Sequence, residues 1–449
     1  MIHKERIRHT NDQEVREGEY VTYWMQTAQR TRDNHALEYA IEQSNRFGKP
    51  LLVYFGLTPD YPEAGRRHYA FMLQGLQEVR EELAARGIAF LLRIISPEKG
   101  ALELAKQSLL LVTEKGYTRL ERRWRDHVAG KAPCPVVELE TNLIVPSEEV
   151  SLKQEYSAAT FRKKIAGKIP GFAAVLRQRK VRYPSLLLQL PFPNESLEDI
   201  PGLLLRLGAH PQPEEVPSPK GGSSNARAAL EEFLEEKLPH YALERNQPSE
   251  DYASGLSPYL HFGQISPLEI WREASRMPGK NAEAFLEELV VRRELSFNYV
   301  LNQPLYDAYE GLPQWARASL EKHAGDHRPI LYSREELEGA ATHDPYWNAA
   351  QCQLLREGRI HNYMRMYWGK KILEWSASPK EAFETALDLN NRYAIDGRDP
   401  NSFAGVAWCF GLHDRPWQER EIFGMIRYMN DKGLERKFQM APYLEKYGE

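Results

Sequence analysis

The chain changes its sequence pattern once along its length, and this change restricts the folds open to it. Residues 20–140 alternate short apolar runs with amphipathic segments, whereas from about residue 225 strand-like runs vanish and helical periodicity recurs. Alternating strands and helices are typical of a mainly parallel sheet with helices on both faces. We therefore predict an α/β domain over 1–150, a linker over 151–224 and a large all-helical domain over 225–449.

Five runs in the first region have the apolar, β-branched composition of strands. They are YVTYWM, PLLVYFG, IAFLLRI, LLLVTE and PVVELE, at 20–25, 50–56, 88–94, 109–114 and 135–140. Helices are predicted over 34–48 and 66–87, each ended by a glycine. No G-x-G-x-x-G motif follows any of these strands, so the standard dinucleotide fingerprint is missing.

Composition excludes several classes of protein. A chain of 449 residues with 42% hydrophobic and 27% charged residues is typical of a folded protein with at least two domains. No apolar run approaches the ~18 residues of a membrane span, and the N-terminus lacks the apolar core of a secretion signal. Cys134, Cys352 and Cys409 lie far apart and fit neither a disulfide framework nor a metal site. We therefore expect a cytoplasmic protein without a bound metal.

The predicted linker begins with a strongly basic segment, residues 153–182, in which Glu155 is the one acidic residue. Its nine cations are Lys153, Arg162, Lys163, Lys164, Lys168, Arg177, Arg179, Lys180 and Arg182. Such a segment is either a solvated face or a surface that binds phosphates. Residues 191–224 then have the composition of a loop, rich in proline, glycine and serine.

The helical region contains an unusual concentration of oxidisable rings, HNYMRMYWGKKILEW at 361–375. On a helix Trp368 and Trp375 share a face two turns apart, and Trp347 lies on the preceding predicted helix. Tryptophans in such patterns usually fill a core. A chain of stacked indoles can also pass electrons if a redox partner lies nearby, and Arg365 stands one turn before Trp368, placed to hold a negative charge.

Three further segments are candidates for chemistry. In SGLSPYLHFGQIS, at 254–266, small residues and hydroxyls suit either a phosphate contact or a turn between helices. In NNRYAIDGRDPNSFAGVAW, at 390–408, Asp399 and Asn401 fit helix capping, while fixed carboxamides and carboxylates can equally bind the edge of a heterocycle. In FLEELVVRRE, at 285–294, the i, i+4 spacing of Glu288 and Arg292 predicts an ion pair along a helix.

Taken together these segments resemble class II cyclobutane pyrimidine dimer photolyases, of the photolyase and cryptochrome family. The resemblance runs from YWMQTAQRTRDNHALEYA near the N-terminus, through ERNQPSEDYASGLSPYLHFGQIS and THDPYWNAAQ, to HDRPWQEREIFGMIRYM. It implies a Rossmann-like N-terminal domain and a helical domain that binds FAD in a bent form, active as FADH⁻. It leaves open an antenna chromophore, such as a deazaflavin, in the N-terminal domain.

The resemblance also assigns residues to the cofactor. The positions that match the family's FAD site are Tyr241, Ser254, Gly255, Leu256, Ser257, Leu260, Arg365, Asn390, Asp396 and Arg398. Asn390 matches the residue that faces flavin N5, and Arg365 with Asp396 matches the salt bridge beside the isoalloxazine. Trp347, Trp368 and Trp375 match the tryptophans that photoreduce the flavin.

A second set matches the pocket for a dimer flipped out of DNA. It comprises Arg245, Glu288, Arg292, Met366, Trp408, Arg415, Trp417 and Arg427. The resemblance implies that Glu288 hydrogen-bonds the thymine edge and that Trp408 and Trp417 supply apolar walls. Asn362 departs from the family, where a small residue is expected, and the position of Arg292 varies among relatives.

The function implied is light-driven repair of cyclobutane dimers in UV-damaged DNA, by electron transfer from excited FADH⁻ to a flipped dimer in a monomeric enzyme. The alternative is a cryptochrome-like photoreceptor without repair activity. The short stretch after the last family segment and the retained Glu288, Trp408 and Trp417 favour repair. Repair of (6-4) photoproducts requires a histidine pair at the lesion, which His361 and His413 do not resemble.

Overall fold

The structure, a computed structural model, describes residues 2–448, and its first part is built on a six-stranded sheet. The strand order is β1-β6-β5-β2-β3-β4, with β1 antiparallel to β6 and every other neighbouring pair parallel. The strands are β1 Ile7–His9, β2 Tyr20–Trp24, β3 Leu51–Leu57, β4 Ala89–Ile94, β5 Ser108–Glu114 and β6 Val136–Leu139. All five predicted strands are confirmed.

Four helices cover the two faces of this sheet. They are α1 His35–Phe47, α2 Arg66–Ala85, α3 Pro97–Ala105 and α4 Arg119–Lys131. The central strands β2, β3 and β5 are buried along their whole length, as expected for a parallel sheet between helices. The Asn34 side chain caps α1 by accepting from Leu37 N, and Gly48 ends it in the left-handed conformation, at a φ of 68°.

The linker contains more helix than the sequence predicts. Its helices are α5 Ser147–Val150, α6 Ala158–Ile165, α7 Ile169–Phe172 and α8 Ile200–Leu207. The prediction of a loop over 191–224 is therefore wrong for α8, where Asp199 caps the helix and Leu203, Leu204 and Leu207 are buried. Three leucines at helical spacing can pack against the N-terminal domain, and this packing outweighs the loop-like composition around them.

The rest of the described chain is helical. The helices are α9 Ser223–Glu232, α10 Tyr241–Glu244, α11 Ser257–His261, α12 Pro267–Ser275, α13 Lys280–Leu286, α14 Arg293–Asn302, α15 Gln314–Lys322, α16 Arg334–Glu338, α17 Pro345–Glu357, α18 Asn362–Trp375, α19 Pro379–Tyr393, α20 Pro400–Cys409, α21 Asp431–Lys437 and α22 Ala441–Tyr447. Between α13 and α14 the helix continues through a π-helical stretch, Glu287–Arg292. An α/β domain followed by a helical domain is thus confirmed.

Buried arginines of the N-terminal domain connect the two parts. Arg67 on α2 donates to the carbonyl oxygens of Leu355 at 2.8 Å and Tyr393 at 2.7 Å. Arg30 donates to the carbonyl oxygen of Gly263 at 2.9 Å. Each guanidinium satisfies backbone acceptors that would otherwise be buried without a donor, so the contact fixes the helical domain against the sheet. Within residues 2–448, no helix combines the length and the apolar composition that crossing a bilayer requires.

Candidate functional site

A cavity of about 1370 Å³ opens in the helical domain. The segment 248–257 forms one wall, and residues at the start of α18 and within α20 form the other. The predicted site residues that line it are Tyr241, Arg245, Ser254, Gly255, Leu256, Ser257, Glu288, Arg365 and Asp396. The structure therefore brings together residues that the sequence placed far apart, from both the cofactor set and the lesion set.

The Ser254–Ser257 turn presents small polar groups to this cavity. Gly255 has a φ of +66°, a conformation that favours glycine, and a Cβ built there would meet no neighbouring atom. The amide N–H of Leu256 donates to the Ser254 hydroxyl at 3.4 Å. Leu260, on α11 just beyond the turn, is half-buried and packs into the core rather than lining the cavity. The turn thus leaves open space beside its backbone, as a bulky anionic ligand requires.

Arg365 and Asp396 line the cavity, and Asn390, which is buried and does not line it, completes a polar cluster with them. Arg365 Nη1 donates to Asn390 Oδ1 at 2.7 Å, and its Nη2 lies 3.9 Å from Asp396 Oδ1. The Asn390 amide in turn donates to the Ser402 hydroxyl, so its orientation is fixed from both sides. Asp396 Oδ1 is buried and accepts no hydrogen bond from the described residues. An acceptor left in this state is suited to an N–H group of a ligand.

The three tryptophans predicted to form a chain are buried and in contact. The rings of Trp347 and Trp368 are stacked, with centroids 6.4 Å apart and planes 4° from parallel. Trp375 meets Trp347 edge-on at 5.7 Å. Trp347 is therefore the middle member, and Trp368 lies one helical turn beyond Arg365 of the polar cluster. At the far end, Trp375 contacts the exposed His343 ring at 5.3 Å.

The ion pair predicted between Glu288 and Arg292 does not form. Glu288 instead pairs with Arg245 at 2.8 Å, and Arg292 approaches Glu287 at 3.8 Å. Both residues lie in the π-helical stretch Glu287–Arg292, where the wider turn shifts residues out of i, i+4 alignment. Burial acts to lower the pKa of Arg245, but the hydrogen bonds and charges of Glu288 and Tyr241 together outweigh it, so the pKa is raised. Arg245 thus fixes the position of the Glu288 side chain at the cavity wall.

Two tryptophans of the lesion set enclose an arginine of the same set, and none of the three is among the residues that line the cavity. The Arg427 guanidinium lies 5.3 Å from the Trp408 ring and 4.4 Å from the Trp417 ring. Asp414 holds this arrangement, because its carboxylate accepts from Arg427 Nε at 3.2 Å and from Trp417 Nε1 at 3.3 Å. The Arg415 guanidinium lies 5.5 Å from the Trp417 ring, and 40% of Trp417 is exposed. Met366, half-buried on α18, follows Arg365 directly.

Several cavity residues were not predicted from sequence. Arg359 and His361 reach the cavity from the α17–α18 connection, and Lys446 and Tyr447 reach it from α22. Tyr447 donates to Glu357 Oε1 at 2.9 Å, which ties α22 to α17. A tyrosine among charged residues gives no sequence signal of a binding site. Ser402, by contrast, stood in a segment already singled out, where its role as the partner of Asn390 was missed.

Arg398 lies at a second cavity, between the carboxyl ends of the strands and the helical domain. This cavity is lined by Thr27, Phe55, Gly56, Thr58, Tyr61, His68, Trp124, His261 and Arg398, among others. Arg398 is fully buried and donates to the Asn391 carbonyl oxygen. Burial lowers its pKa and that of His68. The structure thus separates Arg398 from the other residues predicted to bind the cofactor.

Comparisons with known proteins identify the family. Residues 21–169 match the family model described as DNA photolyase. A deoxyribodipyrimidine photo-lyase of Methanothermobacter thermautotrophicus is 49% identical, over 99% of this chain and 98% of the relative. The chain belongs to the DNA photolyase family. A second deoxyribodipyrimidine photo-lyase, of Potorous tridactylus, is 39% identical over 99% of this chain and 85% of its own length.

Solved photolyases and cryptochromes share the fold. A class III photolyase of Agrobacterium tumefaciens superposes with a TM-score of 0.73 at 18% identity, covering 96% of this chain and 87% of its own. A Synechocystis cryptochrome gives 0.70 at 17% identity, over 97% and 87%. A Sulfolobus tokodaii photolyase, crystallised with two FAD molecules, gives 0.73 at 18% identity, over 96% and 90%. The architecture of this chain is therefore that of the photolyase family.

Proposed function

We propose that this chain is a class II photolyase that binds FAD and uses light to repair cyclobutane pyrimidine dimers in DNA, acting as a monomer. The observation that carries the proposal is that one cavity is lined by members of both sets: Glu288 and Arg245 of the lesion set line it together with Ser254, Arg365 and Asp396 of the cofactor set. A cofactor that donates an electron and a substrate that accepts it must lie close together, and a shared cavity provides this.

The residues present fit FAD. The open backbone at Gly255 suits the phosphates of a dinucleotide, and Asp396 Oδ1, which accepts no hydrogen bond from the described residues, suits a ring N–H. The Arg365 guanidinium favours an anionic reduced ring. When bound, reduced FAD supplies the photochemistry, donating one electron to the dimer on excitation. The residues of the chain bind, orient and exclude water.

The protein's own groups then have distinct tasks. Asn390, fixed by Arg365 and Ser402, offers a neutral amide to the cofactor, so it adds a hydrogen bond without adding charge. Glu288, held by Arg245, accepts hydrogen bonds from the base edge of a flipped dimer. Trp408 and Trp417 provide flat apolar surfaces for the extruded bases. The Trp368–Trp347–Trp375 contacts form a relay that supplies an electron when the cofactor has been oxidised.

A cryptochrome-like photoreceptor is the alternative, and the fold alone does not separate the two, since a cryptochrome is among the similar structures. Sequence identity favours repair. Four relatives named deoxyribodipyrimidine photo-lyase are 39–49% identical over at least 94% of this chain. Two Thermus thermophilus photolyases are only 27–28% identical over 87%. This contrast supports placing the chain in a separate branch of repair enzymes, which we assign to class II.

The second cavity is the candidate site for an antenna chromophore. It lies at the carboxyl ends of parallel strands, where α/β sheets bind ligands, and aromatic side chains including Phe55 and Trp124 form much of its wall. We propose that a planar pigment such as a deazaflavin binds there. An absorption spectrum of the purified protein tests this assignment together with that of FAD.

The test of the main proposal is a repair assay. The protein with reduced FAD is incubated with dimer-containing DNA, in blue light and in darkness, and the remaining dimers are counted. We expect loss of dimers in light alone. Unchanged dimers in both samples, with FAD bound, would support the photoreceptor alternative instead.

A further inference from the structure

The basic linker segment does not present its charge uniformly. Four of its nine cations pair with carboxylates: Arg162 with Glu287, Lys164 with Glu155, Lys168 with Glu149 and Arg179 with Glu42. Lys153 and Lys163 are exposed and have no carboxylate partner among residues 2–448. The free charge in the first half of the segment is therefore concentrated in two side chains.

Large apolar side chains stand beside these lysines. Tyr156 is 73% exposed and Leu152 is 78% exposed. Single exposed apolar residues are common, but here two flank unpaired cations within a twelve-residue stretch, Leu152–Lys163. An exposed aromatic ring next to free lysines is the composition of surfaces that bind nucleic acid, where rings pack on bases or sugars and lysines neutralise phosphates.

Hydrogen bonds place this stretch against the helix that carries the lesion residues. The amide N–H of Glu155 donates to Asn298 Oδ1 at 2.8 Å, and Asn298 Nδ2 donates to the carbonyl oxygen of Lys153 at 3.0 Å. Asn298 lies on α14, the continuation of the π-helical stretch Glu287–Arg292. The backbone around Lys153 is therefore fixed within two helical turns of Arg292.

An ion pair fixes α6 to the same π-helical stretch. Arg162 contacts both carboxylate oxygens of Glu287, at 2.5 Å and 2.9 Å, and α6 packs along Glu287–Arg292. Glu287 immediately precedes Glu288 of the cavity wall. Lys163, the next residue after Arg162, is thereby held at the side of the lesion site with its own charge free.

The stretch also meets the loop that carries Trp417. The His413 ring lies against the backbone of Glu155. Burial lowers the pKa of His413, and the positive charge of the nearby Arg292 lowers it further. His413 directly precedes Asp414, which holds Trp417 and Arg427. Residues 151–157 thus adjoin α14 and the loop that carries Trp417, while the following helix α6 adjoins the π-helical stretch.

We propose that Leu152, Lys153, Tyr156 and Lys163, here named the flank surface, bind the DNA strand beside the lesion. This inference rests on the proposed function and extends it to the DNA beyond the flipped dimer. Lys153 and Lys163 neutralise backbone phosphates, and Tyr156 packs against an exposed sugar or base. Because the surface contacts no reacting group, it acts on DNA affinity and leaves the photochemical step unchanged.

The first experiment uses the double variant K153A/K163A, which removes both lysines of the flank surface. The control is K106A/K131A, which removes the same charge from exposed lysines of the N-terminal domain. Affinity is measured for a dimer in a long duplex and for a dimer in a strand too short to leave the lesion site. For the long duplex we expect roughly tenfold weaker binding at moderate salt and a salt slope lower by about two, one for each phosphate released. For the short strand we expect the affinity of the parent.

The second variant, Tyr156→Ala, is expected to weaken binding of the long duplex roughly tenfold with an unchanged salt slope, because it removes a packing contact and no charge. All variants should repair at the parent's rate when saturated with DNA. If the flank-surface variants bound the long duplex as tightly as K106A/K131A does, the proposal would be overturned. It would also be overturned if they lost as much affinity for the short strand as for the long duplex. Absence of light-dependent repair in the parent itself would instead overturn the proposed function, so the two failures are distinguishable.

Discussion

Trp347 and Trp368 are joined twice: their rings stack 6.4 Å apart, and Trp347 Nε1 donates to the Trp368 carbonyl oxygen at 3.0 Å. Trp368 Nε1 in turn donates to Gln351 Oε1 at 2.9 Å. Both indoles are therefore fixed in orientation as well as in position, on two different helices. Core filling alone does not require two parallel rings with fully satisfied N–H groups, whereas a relay depends on constant ring separation.

We predict that replacement of Trp368 by phenylalanine interrupts the proposed relay at the end next to Arg365. We expect flavin photoreduction to be largely abolished. It is measured as the loss of the oxidised-flavin absorption band under light. Repair should persist once FAD is reduced chemically. Phe cannot donate to Gln351, so unfolding should also become easier by about 1–3 kcal/mol. Trp271→Phe, on α12 away from the cluster, is the matched control. Equal photoreduction in both variants would refute the assigned relay.

Glu288→Gln removes the charge of a carboxylate while keeping its shape. We expect the repair yield per bound dimer to fall about tenfold or more, since a hydrogen bond to a charged group is lost, while DNA affinity changes about threefold at most. The yield is measured at saturating DNA and the affinity in darkness. Glu283→Gln, exposed one turn before the π-helical stretch, is the control. A loss confined to affinity would remove Glu288 from the reaction.

Gly369 sits where α18 crosses α20. A Cβ at this position would lie 2.7 Å from Cys409 Sγ and 3.0 Å from Cys409 Cβ. Gly369→Ala should therefore destabilise the fold by about 1–3 kcal/mol through overpacking. Cys409→Ala removes the sulfur and should recover part of this loss in the double variant. Chemical unfolding of the four proteins measures the coupling, and strictly additive effects would show that the two residues do not meet.

His361 gives the protein a defined sensitivity to acid. Burial lowers the pKa of His361 to about 4, and the neutral ring both accepts from Tyr363 N at 3.3 Å and bonds the Arg245 carbonyl oxygen at 3.1 Å. The unfolded chain, with the ordinary pKa of about 6.5, binds a proton first as pH falls. The free energy of unfolding therefore decreases by up to about 3 kcal/mol as the pH falls from about 6.5 toward about 4.

His361→Asn tests this sign, because asparagine also caps a helix N-terminus but does not titrate. Unfolding of parent and variant is compared at about pH 7 and about pH 5, on either side of the ordinary histidine pKa. The parent should lose more stability than the variant between the two. An equal loss in both proteins would assign the acid sensitivity to other groups.

The elements of the fold that could be predicted from the sequence are those that are buried. Strands such as Leu51–Leu57, buried on both faces, are continuous apolar runs that no other element explains equally well. Strand β1 escaped prediction because Ile7–His9 is short and mostly exposed, and only pairing with β6 makes it a strand. Helix α8 escaped because prolines and glycines around it dominate the local composition.

From the sequence, residues of the candidate site could be named, but their contacts with one another could not be predicted. The resemblance placed Glu288 and Arg245 in one pocket, but their pairing depends on the π-helical stretch, which has no sequence signal. Arg398 shows the same limit. It stands two residues from Asp396, yet its left-handed backbone, at a φ of 67°, directs it to the other cavity. The spacing of residues along the sequence does not predict such a change in the direction of the backbone.

The position of α22 has a practical consequence. Lys446 and Tyr447 line the cavity proposed to hold FAD, and Tyr447 donates a hydrogen bond to Glu357 on α17. Proteolytic clipping ahead of Ala441 would leave most of the polypeptide intact while removing one side of the cavity. A preparation trimmed in this way would run almost normally on a denaturing gel and yet lose its yellow colour, so the mass of each batch should be verified before activity is compared.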